Sequence, residues 1–335
     1  MFGALAVFYL FLGGAGAGAI AACSALDLLA AQRPHAATCS VAGPSVRPLA
    51  RAVDAGFAVG FACLVVGMIS LVLDLGRVDR AFALFLDPHP TLLTLGSYAL
   101  AALAVLAAFA AAVRFFYLPF VPRRAVVAAE AAAIVLAVVV MLYTGLLLGT
   151  VGGVPLWSSP LIPVLFLLSS CSSGLAILFF AAPFTGLDAP AARVFHRLMA
   201  LDAVIIAVEL ACTAAFVLLH GASDRPGAPA ALDTLLTGDA TAAAWWFGFV
   251  VCGLVLPLAL EAVALCSARC PAVAVAIVAA LVLVGAFCLR SSIVEAADHR
   301  ALALEPVEHT LNLAAMPAAQ PVGSSFTIPF ESVHI

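Results

Sequence analysis

The sequence predicts an all-α polytopic membrane protein with eight transmembrane helices, and three observations lead to that fold class. The mean hydropathy is +1.21, and 65% of the residues are hydrophobic. Only 10% of the residues are charged, whereas a soluble domain carries roughly a quarter. The apolar residues also form long blocks rather than amphipathic stripes, which is typical of helices that cross a bilayer.

Each transmembrane helix needs about 20 predominantly apolar residues, and eight blocks of the chain reach that length. The connections between them carry Pro, Gly, Arg and Asp, which favour positions outside the hydrocarbon core. The first block has no preceding basic stretch and is longer than the apolar part of a signal peptide, so we interpret it as a retained span. The predicted spans are 3–30, 52–75, 91–117, 124–149, 160–183, 194–220, 241–267 and 271–296.

The arginines predict the orientation of these spans, because basic residues concentrate on the cytoplasmic side of a membrane. All 14 basic residues are arginines. With the N-terminus outside, nine of them are cytoplasmic and five lie on the outer side. We therefore expect a multi-pass protein of the cytoplasmic (inner) membrane with both termini on the outer, periplasmic side. The net charge of −4 and the lack of a basic patch argue against a nucleic-acid partner.

The cysteines and histidines bear on bound metals. The nine cysteines are scattered, and the closest pair, Cys266 and Cys270, has no second pair to complete a zinc or iron–sulfur site. A b-type haem needs two facing axial ligands from different helices at one depth. His196 and His220 lie at opposite ends of the same span, and the other histidines fall in connections or in the tail. Neither haem nor metal is expected in this chain.

The first span contains the glycine-rich stretch "GGAGAGA", from Gly13 to Ala19. It matches the loose form of a dinucleotide-binding loop, but such a loop follows a strand, and this stretch lies inside a long apolar helix. Small residues in a membrane helix allow a neighbouring helix to approach closely. We therefore expect Gly14 and Gly18 to serve helix packing.

Four carboxylates, Glu130, Asp202, Glu209 and Glu261, fall inside predicted spans. An ionisable group at the centre of a membrane helix costs about 2.5–3.5 kcal/mol on insertion scales. Asp202 and Glu209 are seven positions apart, which places them on one helix face, about 10 Å apart along its axis. Two interpretations are open: structural carboxyl groups bonded to neighbouring helices, or a hydrated proton path from the cytoplasmic side.

Tyr143 is a lone phenol near the end of the fourth span. It follows Arg124 by 19 positions, which is about 28 Å of helix rise and close to one hydrocarbon thickness. The residue is therefore expected at the outer interface, where tyrosines are common. It is either an aromatic-belt residue or a group that meets a substrate dissolved in the membrane.

The stretch 142–178, "LYTGLLLGTVGGVPLWSSPLIPVLFLLSSCSSGLAIL", resembles the NrfD/PsrC family. These proteins are the membrane subunits of polysulfide-reductase-like and related molybdopterin or iron–sulfur oxidoreductases. The family pattern has a Tyr near the end of the fourth span, an outer loop with Pro-Leu-Trp, and then Pro-Leu and Pro-x-Leu-Phe. Tyr143, Trp157 and residues 160–166 match it in order. The resemblance extends over all eight spans, including the glycine-rich first span and the eighth span that ends near Arg290.

The resemblance implies two four-helix bundles, at 1–149 (the quinone side) and 150–297, followed by an outer tail at 298–335. It also implies that menaquinone or another quinone binds near the outer surface beside a docked, ferredoxin-like 4Fe-4S subunit. A molybdopterin catalytic subunit or another redox subunit lies beyond that partner. The chain would then be the quinone-reactive anchor of a respiratory complex and would not act alone on the terminal substrate.

The resemblance further implies a quinone-facing role for Tyr143 and, less directly, for Trp157 and Arg290. Arg290 either stabilises negative charge on the quinone or anchors the helix end by snorkelling. A His and an Asn that help to hold the quinone in the polysulfide reductase have no counterpart in "ALAVFYL", residues 4–10. Tyr9 is the only hydrogen-bonding side chain there, and it becomes the candidate for a second contact.

One alternative from another functional class is a secondary transporter with carboxylates near the membrane midplane. Such transporters have inverted repeats with broken helices at matching positions. Pro257 interrupts the seventh span, but the third span has no corresponding break. The pattern favours the redox subunit over the transporter.

Overall fold

The computed structural model describes residues 4–31, 47–74, 92–116, 121–150, 155–181, 189–222, 228–267 and 272–298. These residues are helical apart from short turns, and no strand occurs among them. Eight helices are long and apolar enough to cross a membrane. The chain is therefore a multi-pass membrane protein, and the predicted fold class is confirmed.

The first six spans are single helices, and the seventh is composite. Two short helices, α7 and α8, precede a π-helical segment, and the span from Thr241 to Cys266 continues from it into α9. The helices are α1 (Ala4–Ala31), α2 (Arg47–Asp74), α3 (Leu92–Phe116), α4 (Arg123–Gly149), α5 (Leu161–Ala181), α6 (Ala189–Gly221), α7 (Ala228–Thr237), α8 (Asp239–Ala243), the π-helical segment (Ala244–Val255), α9 (Leu256–Cys266) and α10 (Ala272–Asp298), with a 3-10 turn at Pro155–Ser158.

The helices pack as two groups of four. In the first bundle, α1 and α3 each contact both α2 and α4. In the second bundle, α5 contacts α6 and α10, and the seventh span contacts the same two helices. Helices α1 and α5 face each other between the groups. The spans belong to one compact unit, so the division into domains at residues 149 and 150 stays a prediction. The predicted tail lies outside the described residues, apart from Asp298.

Glycines in α1 set the distance between the two bundles. A Cβ atom at Gly18 would overlap the backbone of Ser170 on α5. One at Gly14 would lie 2.5 Å from the Ser170 hydroxyl oxygen and 3.0 Å from Nη2 of Arg290. The helix-packing role predicted for these two glycines is therefore confirmed, and it brings α1 against the polar face of α5.

The seventh span changes its winding before Pro257. Proline has no N–H group and cannot continue the hydrogen-bond pattern of an α-helix, and the π-helical segment ends two residues before it. The segment brings Gly253 against Gly285 of α10, where a Cβ at Gly253 would lie 2.6 Å from the facing Cα atom. The π-helical segment before Pro257 therefore takes part in a close helix contact in the second bundle.

Candidate functional site

Two buried tyrosines meet in the first bundle. Tyr9 lies in the second turn of α1, and Tyr143 lies in the second-last turn of α4. Each side chain is 2% exposed. Their phenol groups lie within interaction range of each other, and that of Tyr143 also faces Ser97 on α3. None of these approaches meets hydrogen-bond geometry, so neither phenol oxygen has a hydrogen-bond partner in the part of the chain that the structure describes. The pair therefore presents two enclosed hydroxyl groups.

Gly96 of α3 makes room for the ring of Tyr143. A Cβ atom at this position would overlap the ring atoms Cδ2, Cε2 and Cζ. The ring therefore lies directly against the backbone of α3. Two residues further along α4, Gly145 allows a similar approach, because its Cβ would lie 2.9 Å from the nitrogen of Pro163 on α5. The position of Tyr143 is thus fixed by backbone contacts on two sides.

The burial of Tyr143 bears on the two roles that its sequence position left open. An aromatic-belt tyrosine keeps its ring among the lipid headgroups and its hydroxyl in water. Tyr143 instead points into the bundle, whereas Tyr98 on α3 is 40% exposed. The geometry fits an enclosed polar site better than an interface anchor.

Trp157 lies in the 3-10 turn that follows α4. Its side chain is buried, and Nε1 donates a hydrogen bond to the carbonyl oxygen of Ile293 on α10, at 2.9 Å. This bond ties the 3-10 turn to the last span. The direct quinone contact implied for Trp157 stays a prediction.

Arg290 is completely buried, and its three guanidinium nitrogens all donate hydrogen bonds. Nε donates to the carbonyl oxygen of Leu10 at 3.0 Å, and Nη2 to the hydroxyl of Ser170 at 2.8 Å. Nη1 donates to the hydroxyl of Ser169 at 3.1 Å and to the carbonyl oxygen of Ala286 at 2.7 Å. The side chain does not snorkel: it joins α1, α5 and α10.

Arg290 also connects the two bundles electrostatically. Leu10, which accepts from it, directly follows Tyr9 in α1. On the other side, Glu209 of α6 lies near both Arg290 and the hydroxyl of Ser169. The arginine therefore lies between a buried carboxylate and the turn of α1 that carries one of the two phenols. A direct contact between Arg290 and a quinone stays a prediction.

Three of the four predicted path carboxylates share the second bundle. Asp202 is 0% exposed, Glu209 3% and Glu261 0%. Asp202 is close enough to interact with Glu261 on α9 and with Ser172 on α5, although none of these approaches has hydrogen-bond geometry. Ser172 and Ser169 are one helical turn apart, so their hydroxyls lead from the Asp202 pair towards Glu209. The segment "SSCSS" of α5 was the sequence signal for these hydroxyl groups.

Glu130 belongs to a different network, in the first bundle. Arg114 of α3 pairs with Asp27 of α1, with Asp54 of α2 at 3.4 Å and with Glu130 of α4 at 3.2 Å. Its guanidinium carbon also lies 4.4 Å from the centre of the Phe57 ring. Each helix of the bundle thus contributes one charged residue. Sequence reasoning used Arg114 only for orientation and did not identify this cluster.

No polar side chain links Glu130 to Tyr143 along the buried face of α4. The two residues are thirteen positions apart, about 20 Å of helix rise. The buried residues between them are apolar: Ala133, Ala137, Val140 and Met141. Among the described residues of α4, Glu130 therefore has no buried polar connection to Tyr143, and the proton path through the four carboxylates stays a prediction. Among the described residues, no group of three or more His, Cys, Asp or Glu is placed to hold a metal ion.

A comparison with protein-family models matches residues 1–300 to the family described as polysulphide reductase, NrfD. The chain belongs to the NrfD family. Among curated proteins, it is 32% identical over 158 residues to Protein NrfD of Escherichia coli, covering 46% of this chain and 48% of that protein. It is 28% identical over 171 residues to the NrfD homolog of Haemophilus influenzae, covering 51% of this chain and 52% of the homolog.

The aligned part of this NrfD-family chain spans about half the length of each of these curated relatives. The family model covers all eight spans, from α1 to the end of α10. The resemblance drawn from the Tyr143–Trp157 stretch is therefore confirmed at the level of the family. The activity and partners of the whole protein are a separate matter and depend on the site geometry.

Proposed function

We propose that this NrfD-family protein is the quinone-reactive membrane subunit of a respiratory oxidoreductase complex. It exchanges electrons between the membrane quinone pool and a docked iron–sulfur subunit. The observation that carries the proposal is the pair of buried phenol hydroxyls, Tyr9 and Tyr143, which lack hydrogen-bond partners among the described residues. A buried polar group without a partner is costly, and a quinone carbonyl would supply the missing acceptor.

The residues around the pair fit a quinone head group. Tyr143 would donate a hydrogen bond to one carbonyl, and Tyr9 offers a second hydroxyl beside it. Gly96 holds the Tyr143 ring in place, which fixes the direction in which its hydroxyl points. A bound menaquinone or other quinone supplies two-electron, two-proton redox chemistry. The chain contributes orientation, exclusion of water and a phenol that can pass a proton.

An apolar cavity near this level suits the hydrocarbon tail of a quinone. It has a volume of about 390 Å³ and lies between α2 and α3, the helix that also carries Gly96 and Ser97. Ala104, at one edge of the cavity, follows Ser97 by two turns, about 10 Å along α3. The other lining residues are Phe61, Val65, Met68, Ile69, Val72 and Leu73. Membrane lipid would cover the remaining exposed apolar side chains.

The proposed electron partner is a ferredoxin-like 4Fe-4S subunit on the outer face, with a molybdopterin or other redox subunit beyond it. The connection at 150–159 and the tail at 298–335 are its proposed docking surface. The hydrogen bond from Trp157 to Ile293 supports this assignment, because it gives the 3-10 turn ahead of α5 a fixed position on the last span. The secondary transporter loses support, since a family match over residues 1–300 favours a redox subunit.

Replacement of Tyr143 by Phe tests the proposal. Tyr143→Phe keeps the ring against Gly96 and removes only the hydroxyl. We expect quinone-linked turnover of the intact complex to fall about tenfold or more, because losing a hydrogen bond in a buried site costs about 1–3 kcal/mol. Assembly and electron transfer with artificial redox dyes should survive. Turnover is measured with a soluble quinol analogue and with the dye, side by side.

Tyr98→Phe is the matched control, since Tyr98 lies next to Ser97 on α3 but is exposed. Its turnover should remain close to that of the unmodified complex. If Tyr143→Phe retained as much quinone-linked turnover as Tyr98→Phe, the quinone assignment of the phenol would be wrong.

A further inference from the structure

Two carboxylates face each other in the second bundle without a cation between them. Asp202 of α6 and Glu261 of α9 are both 0% exposed, and their carboxyl groups are close enough to interact with each other. Neither carboxylate oxygen of either residue has a hydrogen-bond donor among the described residues, and the buried hydroxyl of Ser172 beside them has no partner of good geometry. Five oxygen atoms thus converge without a donor aligned on them.

An ionised carboxylate only accepts hydrogen bonds. Two ionised carboxylates in contact inside a water-free bundle would repel each other and would have no solvation. The first bundle solves the same problem with a cation, because Arg114 donates to Asp27, Asp54 and Glu130. The second bundle places its arginine elsewhere, on Ser169, Ser170 and two backbone carbonyls.

We propose that Asp202 and Glu261 hold a single proton between them and form a proton-binding site within the membrane-spanning part of the second bundle. One carboxyl group donates its O–H to the other, which stays ionised and accepts it. The hydroxyl of Ser172 donates to the ionised member. The pair then carries one negative charge instead of two, and four of the five oxygens take part in a hydrogen bond.

The groups around the pair indicate the route by which this proton can leave it. The titratable and charged side chains that face it from the packed helices are Glu209 on α6, Cys171 on α5 and, beyond Glu209, Arg290 on α10. Ser172 and Ser169 lie on the same face of α5 and bridge the interval between Asp202 and Glu209. Transfer from the pair breaks one O–H bond there, forms one at the acceptor, and leaves two carboxylates that must regain a proton.

Delivery of this proton towards the quinone rests on the proposed function, whereas the shared proton itself rests only on the geometry of Asp202, Glu261 and Ser172. Infrared difference spectroscopy of the intact complex separates the two. The unmodified complex should show the carbonyl-stretch band of a protonated carboxyl group, and this band should shift on exchange into deuterated water.

Asp202→Asn and Glu261→Gln should each abolish the whole band. An amide supplies N–H donors, so the remaining carboxylate no longer needs the proton. Two independently protonated carboxyl groups would instead lose half of the band in each variant, and that result would overturn the proposal. Asp233→Asn, which alters an exposed carboxylate on α7, should leave the band unchanged.

Ser172→Ala guards against variants that fail to fold, because it removes a single hydroxyl. It should keep the band and move its frequency, since one hydrogen bond to the pair is lost. An unmodified complex without the band, or one whose band disappears on addition of sodium ions, would show a cation site and overturn the shared proton. If Tyr143→Phe had full turnover while the band persisted, the proposed function would fail and the proton site would stand.

Discussion

The two bundles bury the same kinds of charged residue but arrange them differently. In the first bundle, Arg114 pairs directly with three carboxylates, and one of them, Asp54, has a side chain that is 38% exposed. In the second, Arg290 donates to hydroxyl and carbonyl oxygens, and the carboxylates lie beyond the serines. The first arrangement fixes its charges in ion pairs, whereas the second separates them by groups that can both donate and accept.

This difference assigns the bundles different tasks. An ion pair that loses either member leaves an uncompensated charge, so such a cluster is stable only as a whole. A chain of hydroxyls and carboxyls can redistribute protons without breaking a helix contact. The first bundle therefore combines a structural clamp at one end with the Tyr9–Tyr143 pair at the other, and the second bundle holds the titratable residues that continue from Arg290.

The largest effect should come from Arg290→Met, because Arg290 joins the two bundles whose charges are compared. The change leaves the carbonyl of Leu10 and the hydroxyls of Ser169 and Ser170 without their donor and leaves Glu209 without its nearby cation. Removing one partner from a buried charged network costs about 3–5 kcal/mol. We expect a strongly lowered unfolding temperature in detergent, together with loss of quinone-linked turnover.

Arg51→Gln is the matched control for Arg290→Met, because Arg51 lies exposed on α2. Its unfolding temperature should change little. A stable Arg290→Met protein with normal turnover would show that Arg290 does not join the two bundles.

A smaller effect is expected from Arg114→Gln, which sharpens the comparison because it acts in one bundle only. Three carboxylates then lose their cation, but the exposure of Asp54 lets water solvate part of the charge, so we expect destabilisation of about 2–3 kcal/mol. The double variant Arg114→Gln with Asp27→Asn should recover part of this loss, because one unpaired negative charge is gone. Unfolding in denaturant measures both.

Quinone-linked turnover should distinguish the Arg114→Gln variant from the Arg290→Met variant. Surviving Arg114→Gln protein should keep quinone-linked turnover, since the cluster is about 20 Å from Tyr143 and the intervening buried face of α4 is apolar. A selective loss of turnover with normal stability would instead make the Arg114 cluster part of the reactive site.

The smallest of these effects on stability, though not on turnover, is expected from Gly96→Ala. The added methyl group overlaps the Tyr143 ring and must displace it, and overpacking of this kind costs about 1–3 kcal/mol. Turnover with a quinol analogue should fall at least as far as in Tyr143→Phe. Gly149→Ala is the control at the same end of the bundle, because its Cβ would meet only the Trp157 carbonyl at 3.4 Å.

The spans could be predicted from the sequence because hydropathy alone decides whether a helix crosses a bilayer. The differences concern helix ends: α2 begins at Arg47, ahead of the predicted residue 52, and α6 at Ala189, ahead of residue 194. Both helices continue past their apolar blocks through polar or proline-containing turns. A hydrophobic block therefore marks the part of a helix within the hydrocarbon, not the whole helix.

The position of Tyr143 near the end of a transmembrane helix could also be predicted, but the direction of its side chain could not. Helix α4 is apolar on nearly all sides, so periodicity does not show which face turns inward. The Arg114 cluster was missed for a related reason. Each of the four helices contributes one charged residue to the cluster, and only their arrangement in space brings those residues together. The candidate site therefore came from the family resemblance, because the residue pattern alone did not indicate it.

The hydrogen bond from Arg290 to the carbonyl of Leu10 joins residues 280 positions apart in the chain. The first helix is synthesised and inserted before the last, so during biogenesis the turn that carries Tyr9 has no guanidinium to hold it. Only when α10 enters the membrane does the arginine reach that turn, and Trp157 reaches Ile293 at the same stage. The hydrogen bonding of the first span is therefore complete only when the eighth span, α10, is in place. A chain truncated before α10 would lack both hydrogen bonds, and a partner would meet the Tyr9 turn and the 3-10 turn without them.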